Sequence, residues 1–525
     1  MIISVYLKHS HDRTGNKKKK MLPPAEAKLK APNGIEISLP TGLFIDNEFV
    51  DSGSGGRITS INPSSGSAIC EVVAASEADI DRAVAVARTA FQSPEWRDMP
   101  GGQRGRLMLR LADLVEEQTE KLATLEAWDN GKPLAVARDE DLAEVIGCLR
   151  YYAGWADKLQ GSTIPTSSGG AKLAYTLRQP VGVCAQIIPW NFPLAMAAWK
   201  LGPALAAGNT VVLKPAEQTP LSALLLADLI RRAGFPRGVV NIVNGLGRDA
   251  GAALASHPGV DKVAFTGSTA TGRHVMRAAA AGLKNLTLET GGKSPLLVFA
   301  DADLDQAARW ACSGIMGNMG QVCTATSRLL VDASIVKPFV DAFLHQVRST
   351  RVVGDPFDPK TTHGPQVSRD QYDRVLGFIT SATDQGAQLE LGGAPAGDAD
   401  AGKGFFIQPT VFSGVTPEMD LFRDEVFGPV AAITPFGSEE EAVRLANDSE
   451  YGLAAAVFTT AVDRAHRVAA ALQAGTVWIN SSQDSELQVP FGGVKQSGIG
   501  RELGEAALAA YTETKAVHVN LGARL

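Results

Sequence analysis

Apolar residues recur at helical spacing through the first third of the chain. The spacing predicts helices over about 76–91, 107–130 and 138–158. The first follows the capping pair Ser76-x-x-Asp79, and the second stops at the sequence Asn-Gly-Lys-Pro, residues 130–133. From about Ile35 onward the pattern is therefore that of a folded protein.

Short apolar runs alternate with helical segments beyond the Gly/Ser/Thr-rich stretch at 161–170. Strands are predicted over 181–188, 210–213, 239–243, 262–265 and 285–288, and helices over 193–207, 221–233 and after Gly272. A second series begins at Pro295–Phe299 and continues to about Asn480. Strands alternating with helices of this length form βαβ units, so the fold class is α/β with parallel sheets covered on both faces.

Composition narrows the class of protein. A chain of 525 residues is too long for one core, so two large domains and a small appendage are expected. The formal net charge of -6 and the lack of an apolar run of roughly 18 residues predict neither a nucleic-acid nor a membrane partner. Five cysteines without a CxxC pair predict neither a metal site nor a disulfide framework, and they favour a reducing compartment, the cytoplasm.

The two ends of the chain carry short signals of their own. Residues 1–34, with the run Lys17 to Lys20, are predicted to be a disordered extension, with an acid-binding or nuclear-localisation arm as the alternative. Met21 is an alternative start of the protein. The last three residues, 523–525, read Ala-Arg-Leu and match the small-basic-leucine pattern of a peroxisomal address, which is the alternative location.

Two glycine-containing segments resemble phosphate-binding turns. Gly245-x-Gly247-x-x-x-Gly251 has one residue too many for a dinucleotide fingerprint, and an ordinary turn before a helix explains it equally well. The segment 265–268, Phe-Thr-Gly-Ser, ends a strand and opens a helix. Backbone N–H groups and a hydroxyl could meet a pyrophosphate there.

A set of motifs then gives the chain a family resemblance. They occur in one order along the chain: Pro-Trp-Asn-Phe-Pro at 189–193, Leu-Lys-Pro-Ala-Glu at 213–217, Phe-Thr-Gly-Ser at 265–268, Leu-Glu-Thr-Gly-Gly-Lys at 288–293, Gly-Gln-Val-Cys at 320–323, Glu-Val-Phe-Gly-Pro at 425–429 and Pro-Phe-Gly-Gly at 490–493. From about residue 40 to 520 the chain resembles the aldehyde dehydrogenase superfamily. The stretch 182–328 is most similar to betaine and aminoaldehyde dehydrogenases, and the C-terminal stretch to non-specific aldehyde dehydrogenases.

The resemblance implies an aldehyde dehydrogenase-like fold with three parts. A Rossmann-type NAD-binding domain with a parallel sheet is expected from 35–159 and 181–292, and an α/β catalytic domain from 293–495. A small β element from 160–180 and 505–525 is expected to join subunits into a homodimer or homotetramer.

The resemblance also implies the reaction, which is oxidation of an aldehyde to a carboxylate with NAD. Cys323 is expected to attack the aldehyde as a thiolate, and therefore to lie in a partly exposed, polar environment that favours the anion. The side-chain amide of Asn191 and the backbone N–H of Cys323 are expected to stabilise the oxyanion. Glu289 is expected to activate the water that hydrolyses the thioester, with Gly291 and Gly292 leaving room for its carboxylate to move.

Further residues match the family's cofactor contacts. Lys214 matches the family's lysine that binds the adenosine ribose, and Glu217 matches the acidic residue that accepts from both ribose hydroxyls. Because a carboxylate there repels a 2′-phosphate, NAD is expected over NADP. Lys200 and Glu502 match positions of a proton relay, with a surface salt bridge as the alternative. The predicted cofactor-binding set is Ile188, Pro189, Trp190, Lys214, Glu217, Gly247, Gly251, Phe265, Thr266, Gly267, Ser268, Gln371, Glu425 and Phe427.

The substrate pocket is where the chain departs from the family pattern. Gly317 stands where many members carry a bulky aromatic, and Ser485 and Leu487 stand where a second aromatic usually precedes Pro-Phe-Gly-Gly. A quaternary ammonium needs an aromatic cage, so we expect a wider pocket, less selective for cations and suited to bulky or long-chain aldehydes. The predicted pocket residues are Phe192, Met196, Trp199, Met316, Gly317, Val322, Ser485 and Phe491.

Two other functions remain open from the sequence. A semialdehyde dehydrogenase that passes its thioester to coenzyme A or phosphate would share most of the motifs, although Glu289 favours hydrolysis. A catalytically silent structural protein on the same fold would tolerate loss of Cys323, Glu289 or Asn191, and all three are present.

Overall fold

The computed structural model describes residues 26–167, 170–396 and 404–522. Within them the strands are β1 (Glu26–Lys30), β2 (Glu36–Pro40), β3 (Leu43–Ile45), β4 (Glu48–Val50), β5 (Arg57–Asn62), β6 (Ser67–Val73), β7 (Thr163–Ile164), β8 (Lys172–Pro180), β9 (Val183–Ile187), β10 (Thr210–Lys214), β11 (Val240–Ile242), β12 (Lys262–Thr266), β13 (Asn285–Glu289), β14 (Pro295–Val298), β15 (Arg328–Asp332), β16 (Gln388–Leu391), β17 (Thr410–Ser413), β18 (Val430–Phe436), β19 (Ala454–Phe458), β20 (Thr476–Ile479), β21 (Gly498–Ile499) and β22 (Thr512–Asn520).

The helices of the same part of the chain are α1 (Glu77–Gln92), α2 (Pro94–Arg97), α3 (Gly101–Glu117), α4 (Thr119–Asn130), α5 (Leu134–Val136), α6 (Leu142–Ala153), α7 (Pro193–Ala207), α8 (Leu221–Ala233), α9 (Ala252–Ser256), α10 (Thr269–Ala280), α11 (Leu304–Met316), α12 (Val336–Thr350), α13 (Arg369–Asp384), α14 (Asp420–Arg423), α15 (Glu439–Asn447), α16 (Val462–Ala471) and α17 (Gly504–Ala510). Two π-helical turns occupy Ala137–Asp141 and Gly247–Gly251, and 3-10 turns occupy Gly317–Gly320 and Lys495–Ser497.

The first large sheet has the strand order β21-β13-β12-β9-β10-β11-β3-β4. Its five central strands are parallel, and antiparallel strands close both edges. The chain runs outward from β9 through β10 to β11, and then returns to the other side of β9 for β12 and β13. The strand order therefore reverses between β9 and β12, and ligands of open α/β sheets bind at such a reversal, outside the carboxyl ends of the strands.

Along the central strands the side chains alternate between the two faces of the sheet, so each face has its own apolar core. In β9, Val183, Ala185 and Ile187 pack in one apolar cluster with α1, while Cys184 points into the other with α7 and α8. A strand that is buried on both faces is apolar along most of its length, and β9 was therefore predictable from its sequence.

The second large sheet has the order β16-β17-β18-β15-β14-β19-β20, and its strands from β17 to β20 are parallel. It too separates two apolar clusters, one around Phe412 and Phe422 and one around Phe339 and Phe343. A third sheet, β22-β8-β7, is smaller, and β22 pairs with β8 over the whole of Thr512–Asn520.

Several predicted boundaries need correction. Residues 26–34, expected to be disordered, form β1 and the turn to its partner β2. The single helix predicted over 107–130 is two helices, α3 and α4, which meet at Gln118. The helix predicted over 138–158 begins as a π-turn and ends at Ala153. The helix predicted after Gly272 begins at Thr269, because Ser268 caps it.

Some predictions fall outside the described residues. The extension over 1–25, the alternative start at Met21 and the tripeptide at 523–525 all lie there. None of the described helices combines the length and the apolar composition of a membrane span.

Candidate active site

A cleft of about 460 Å³ lies at the carboxyl edge of the first sheet. The loop after β9, the N-terminal turn of α10, the end of β13 and the segment 317–324 line it. Most of the predicted motifs follow strands that end at this edge, so the parallel sheet brings them together. Glu425 and Phe427, from the loop between α14 and β18 of the second sheet, also line the cleft.

Cys323 lies where the segment after α11 turns into the cleft. The backbone takes left-handed conformations at Asn318, Met319 and Gly320, with φ of 43°, 57° and 71°. At Gly320 a side chain is excluded, because an added Cβ would lie 2.0 Å from the carbonyl oxygen of Gly428. Because of this tight turn, Cys323 lies in the cleft wall, where it is half-buried.

The electrostatic environment of Cys323 differs from the expected one. Burial and the neighbouring carboxyl of Glu289 raise the pKa of the Cys323 thiol well above its ordinary value, and Glu425 adds to the shift. The surroundings predicted to favour a thiolate therefore favour the thiol instead, and a base is needed to remove its proton.

Glu289 is the carboxyl group placed to act on Cys323 or on a water beside it. It ends β13, is 2% exposed, and its Oε1 has no hydrogen-bond partner among the described residues. Burial, helped by the negative charge of Glu502, raises the pKa of Glu289 to about 8, although the positive charge of Lys200 opposes the shift. A buried carboxyl that titrates near neutral pH suits a general base.

The glycines after Glu289 allow other groups to pack closely against the end of β13. A Cβ on Gly291 would lie 2.3 Å from Oε2 of Glu425, and a Cβ on Gly292 would lie 2.5 Å from the carbonyl oxygen of Cys323. A side chain at either position would therefore displace Glu425 or the Cys323 backbone. That these glycines also give the Glu289 carboxylate room to move stays a prediction.

Asn191 is buried, with 4% of its surface exposed, and two other asparagines hold its loop. Its own amide donates to the carbonyl of Gln321 across 3.1 Å. The amide of Asn318 donates to the carbonyls of Asn191 and Gln321, at 3.1 and 3.2 Å, and Asn130 donates to the carbonyl of Trp190 at 2.7 Å. Sequence reasoning missed Asn318 and interpreted Asn130 only as part of a helix stop.

A buried ion pair lies behind the same loop. Lys132, fully buried, pairs with Asp141, and its Nζ lies 4.3 Å from the ring centroid of Phe192. The carboxyl of Glu126 accepts from the backbone N–H of Leu194 at 2.9 Å, at the start of α7. These contacts fix the direction in which the loop 189–192 leaves the sheet, and no local sequence pattern indicated them.

Lys214 and Glu217 lie together at the end of β10, away from the cleft wall. Lys214 Nζ is 3.4 Å from a Glu217 carboxylate oxygen, and the other oxygen accepts from Gly247 N at 3.4 Å. Gly251 lies beside Lys214, with 3.6 Å from an added Cβ to Lys214 Cδ. Ile188 donates its N–H to the carbonyl of Lys214 at 3.1 Å. Lys214 and Glu217, the residues predicted to bind the ribose, therefore lie beside the first glycine segment, 245–251.

The second glycine segment opens α10 within the cleft. Ser268 caps the helix by accepting from Thr271 N at 3.3 Å. Gly267 packs over the buried Phe265, since an added Cβ would lie 2.6 Å from that ring. The N-terminus of a helix attracts anions through its N–H groups and its dipole, so the start of α10 suits a pyrophosphate.

Glu425, Phe427 and Gln371 line the other end of the cleft. Glu425 accepts from Gly292 N at 2.9 Å, and burial raises its pKa to about 7. Gln371 donates to the carbonyl of Phe427 at 2.8 Å, and the Phe427 ring meets Trp190 edge-on with 5.2 Å between centroids. All three therefore lie with Pro189 and Trp190, as predicted for the cofactor set.

Lys200 and Glu502 form an ion pair, but not at the surface. Both are buried, at 0% and 4% exposure, and Lys200 also donates to the Thr266 hydroxyl at 2.7 Å. The alternative of a surface salt bridge is therefore wrong. The pair lies close enough to Glu289 to shift its pKa.

The predicted substrate residues divide into two groups. Those that line the cleft are Phe192, Met196, Trp199, Gly317, Val322, Ser485 and Phe491. Met316 does not line it: its side chain is fully buried in the core between α11 and α12, because it lies on the inner face of its helix. At Gly317 an added Cβ would meet nothing within 4 Å, so this position leaves the cleft open.

Acidic side chains form part of the cleft wall and were missed. Glu140, Asp141 and Glu144 lie there, from the π-turn into α6. In the sequence their spacing is that of an ordinary solvent-exposed, charged helix surface. Only the packing of α6 against α7 shows that they line the cleft instead.

Comparison with known proteins gives consistent matches. The model of the aldehyde dehydrogenase family matches residues 49–517. An aldehyde dehydrogenase of Alternaria alternata is 50% identical over 496 residues, which cover 94% of this chain and 98% of that protein. Human retinal dehydrogenase 2 is 52% identical, with 93% of each chain covered. The NAD+ complex of the aldehyde dehydrogenase from Bacillus cereus superposes with a TM-score of 0.89 at 49% identity, covering 92% of this chain and 97% of that one.

Proposed function

Since the chain belongs to the aldehyde dehydrogenase family, we propose that it oxidises an aldehyde to the carboxylate with NAD through a covalent intermediate on Cys323. One observation carries the proposal. The sulfur of Cys323, the amide of Asn191 and the buried carboxyl of Glu289 line one cleft. A nucleophile, an oxyanion donor and a base are what this reaction requires of a protein.

In the first step the thiol proton passes to a base and the sulfur attacks the aldehyde carbon. A C–S bond forms, and the carbonyl electron pair moves to oxygen as an oxyanion. An amide has two N–H donors, and Asn191 uses one on Gln321, so the second is available to the oxyanion together with the backbone N–H of Cys323.

The residues present fit a dinucleotide. The pair of Lys214 and Glu217 suits the adenosine ribose. The N-terminus of α10, where Gly267 has no side chain, suits the pyrophosphate, and Glu425 with Phe427 suits the nicotinamide end. Bound NAD supplies the acceptor for the hydride that leaves the substrate carbon, and a thioester remains on Cys323.

Hydrolysis of the thioester is the task of Glu289. Its carboxylate takes a proton from water, the hydroxide adds to the thioester carbon, and the C–S bond breaks to release the carboxylate product. The buried pair Lys200–Glu502 supports a route for that proton toward solvent, since it lies beside Glu289 and bonds Thr266. The presence of a carboxyl group in the cleft that can activate water favours hydrolysis over transfer to coenzyme A.

We further propose a preference for NAD over NADP. The Glu217 carboxylate accepts from Gly247 N and pairs with Lys214, and a ribose bound at this pair would donate its 2′-hydroxyl to that carboxylate. A 2′-phosphate there would meet a negative charge.

The small sheet supports assembly as a homodimer or homotetramer. β22 is at one edge, with its outer side free of strand pairing in the described chain, and Leu173 and Leu177 of β8 are 39% and 42% exposed. An unpaired edge beside exposed leucines suits pairing with a second copy. The five free cysteines support a reducing location such as the cytoplasm.

The reaction is tested by NADH formation with a panel of aldehydes, with and without coenzyme A. We expect NADH with aldehyde and NAD alone, and a free carboxylate as the product. Cys323→Ala should abolish turnover, whereas Cys70→Ala, a cysteine on β6 away from the cleft, should leave it unchanged.

Two results would overturn the proposal. Wild-type turnover by Cys323→Ala would exclude the covalent route. Absolute dependence on coenzyme A, with an acyl-coenzyme A product, would replace hydrolysis by acyl transfer.

A further inference from the structure

A small cavity, separate from the cleft, lies where the chain crosses from the first large sheet to the second. Its volume is about 10 Å³, and Lys293, Ser294 and Arg328 line it beside residues of the segments 446–455 and 472–474. The first two belong to the connection between β13 and β14, and the arginine begins β15. No described residue lines both this cavity and the cleft, so it is a site of its own.

The amino group of Lys293 is buried without a partner. The residue is 1% exposed, and its Nζ has no hydrogen-bond acceptor among the described residues. Burial, helped by the positive charge of Arg328, lowers the pKa of Lys293 to about 7, although Glu425 and Asp424 oppose the shift. Neither of these carboxylates forms an ion pair with Lys293, so its environment lacks negative charge.

Arg328 is a second buried cation at this cavity. It is 1% exposed, and three of its N–H groups donate to backbone carbonyls at 2.8 to 3.0 Å. Asp448, the carboxylate that acts most on its charge, pairs with Arg423 instead, at 2.8 Å. A guanidinium has two N–H groups more than the three in use. Two buried cations therefore lie together without a carboxylate that neutralises either of them.

Ser294 supplies a further donor to the same space. It is 2% exposed, and its Oγ has no hydrogen-bond partner among the described residues. Buried polar atoms are rarely left unpaired unless a ligand or water completes them. The unpaired atoms of Lys293 and Ser294 lie in consecutive residues that line one cavity, so a single ligand can satisfy both.

Physical chemistry favours an anion over water in this cavity. Burying a positive charge without a counter-charge is unfavourable, and two such charges also repel each other. A water molecule offers an acceptor atom but no charge, whereas an anion offsets both penalties. The volume is close to the roughly 10–15 Å³ that one water-sized particle requires, so phosphate and carboxylates are too large.

We propose that Lys293, Ser294 and Arg328 bind one monatomic anion of the size of chloride. The inference goes beyond the oxidation reaction and does not depend on it, because the cavity contains none of the reacting groups. The anion supplies the counter-charge that the two cations lack. It also ties the connection before β14 to the start of β15, so its effect is on the stability of the protein.

Thermal unfolding tests the dependence on chloride. Sodium chloride is exchanged for sodium gluconate at constant ionic strength, because gluconate is too large for the cavity. We expect Tm to rise by about 1–3 °C between chloride-free buffer and about 0.2 M chloride, and to level off as the site fills. A Tm that does not depend on chloride would overturn the proposal.

Three variants separate this site from a general effect of salt. Lys293→Met should lose the chloride dependence and keep the fold, because methionine fills nearly the same volume without a charge. Ser294→Ala should raise the Kd for chloride by about tenfold, since it removes a hydrogen bond to a charged ligand. Lys337→Met is the matched control: it removes a lysine charge whose side chain is 86% exposed on α12, and it should keep the dependence of the wild type.

Bromide locates the anion directly, since its anomalous scattering distinguishes it from water. Crystals soaked in sodium bromide should show a peak in contact with Nζ of Lys293, and crystals of Lys293→Met should lack it. No peak in the wild type, or equal chloride dependence of Tm in the wild type and Lys293→Met, would overturn the proposal. If Lys293→Met does not fold, the Kd of Ser294→Ala and the position of the bromide decide. Neither measurement uses an aldehyde, so failure of the proposed function leaves this test unchanged.

Discussion

The side-chain amide of Asn191 donates to the backbone carbonyl of Gln321 across 3.1 Å, two residues before Cys323. This bond joins the loop after β9 in the first sheet to the nucleophile segment that follows α11 beside the second. The candidate oxyanion donor is therefore held by the same backbone that carries the candidate nucleophile. Any shift of one loop moves the other, which keeps the spacing between amide and sulfur fixed.

Asn191→Ala should lower kcat by about 10²–10³, the usual effect of removing one oxyanion donor. KM and NAD binding should change little, since the amide acts on charge that develops only in the reaction. Steady-state kinetics and NAD fluorescence quenching measure the two effects. Asn33→Ala, an exposed asparagine far from the cleft, is the control, and a wild-type kcat in Asn191→Ala would contradict the assigned role.

The rate of thioester hydrolysis should rise with pH. Because burial raises the pKa of Glu289 to about 8, its base form is the minority at neutral pH, and it grows nearly tenfold per pH unit until the plateau above about pH 8. Glu289→Gln should lose this dependence and release about one NADH per site before turnover stops. Rapid-mixing absorbance from about pH 6 to 9 measures it, and an unchanged pH profile in Glu289→Gln would exclude the residue as the base.

Gly317→Trp should raise KM for bulky aldehydes and spare small ones. The backbone at Gly317 has φ of -58°, which any residue adopts, and an added side chain has open space, so the indole would extend into the cleft rather than strain the turn. Gly317→Ala is the control and should behave as the wild type. Equal kinetics of Gly317→Trp on large and small aldehydes would show that another side chain limits the pocket.

Glu217→Gln should raise the ratio of kcat/KM with NADP to that with NAD by about tenfold or more, since one negative charge facing the 2′-phosphate is removed. Asp249→Asn, in the neighbouring π-turn, removes an equal charge that pairs with Arg248 and should leave the ratio unchanged. If both variants change the ratio alike, the effect is one of overall charge and not of a ribose contact.

Arg328→Met should lower the free energy of unfolding by about 3–5 kcal/mol, because it leaves buried carbonyl groups without a donor. Arg328 is 1% exposed and donates to the carbonyls of Lys293, Leu445 and Ala446 at 2.8, 3.0 and 2.8 Å. Urea denaturation measures the effect. Arg248→Met, at an exposed position, should stay within about 0.5 kcal/mol of the wild type, and similar stability of both variants would contradict this account.

The sequence by itself determined the strands and helices that carry the site. Strands such as β9 and β10 are short, mostly apolar runs, and α7 and α8 were predicted at their observed bounds, because periodicity is a local property of the chain. The motifs and their order also gave the family resemblance that indicated Cys323, Glu289 and Asn191.

Only the tertiary structure decided what surrounds those residues. The hydrogen bond from Asn318 to Asn191 and the ion pair of Lys200 with Glu502 join residues more than 100 positions apart. The raised pKa of Glu289 depends on burial and on Glu502, which the sequence near Glu289 does not show. Local spacing also could not show that Met316 is buried in the core whereas Glu144 lines the cleft. Both residues lie on amphipathic helices, and the element that packs against a helix decides which of its faces is buried. Periodicity fixes which residues share a face, and packing fixes what that face meets.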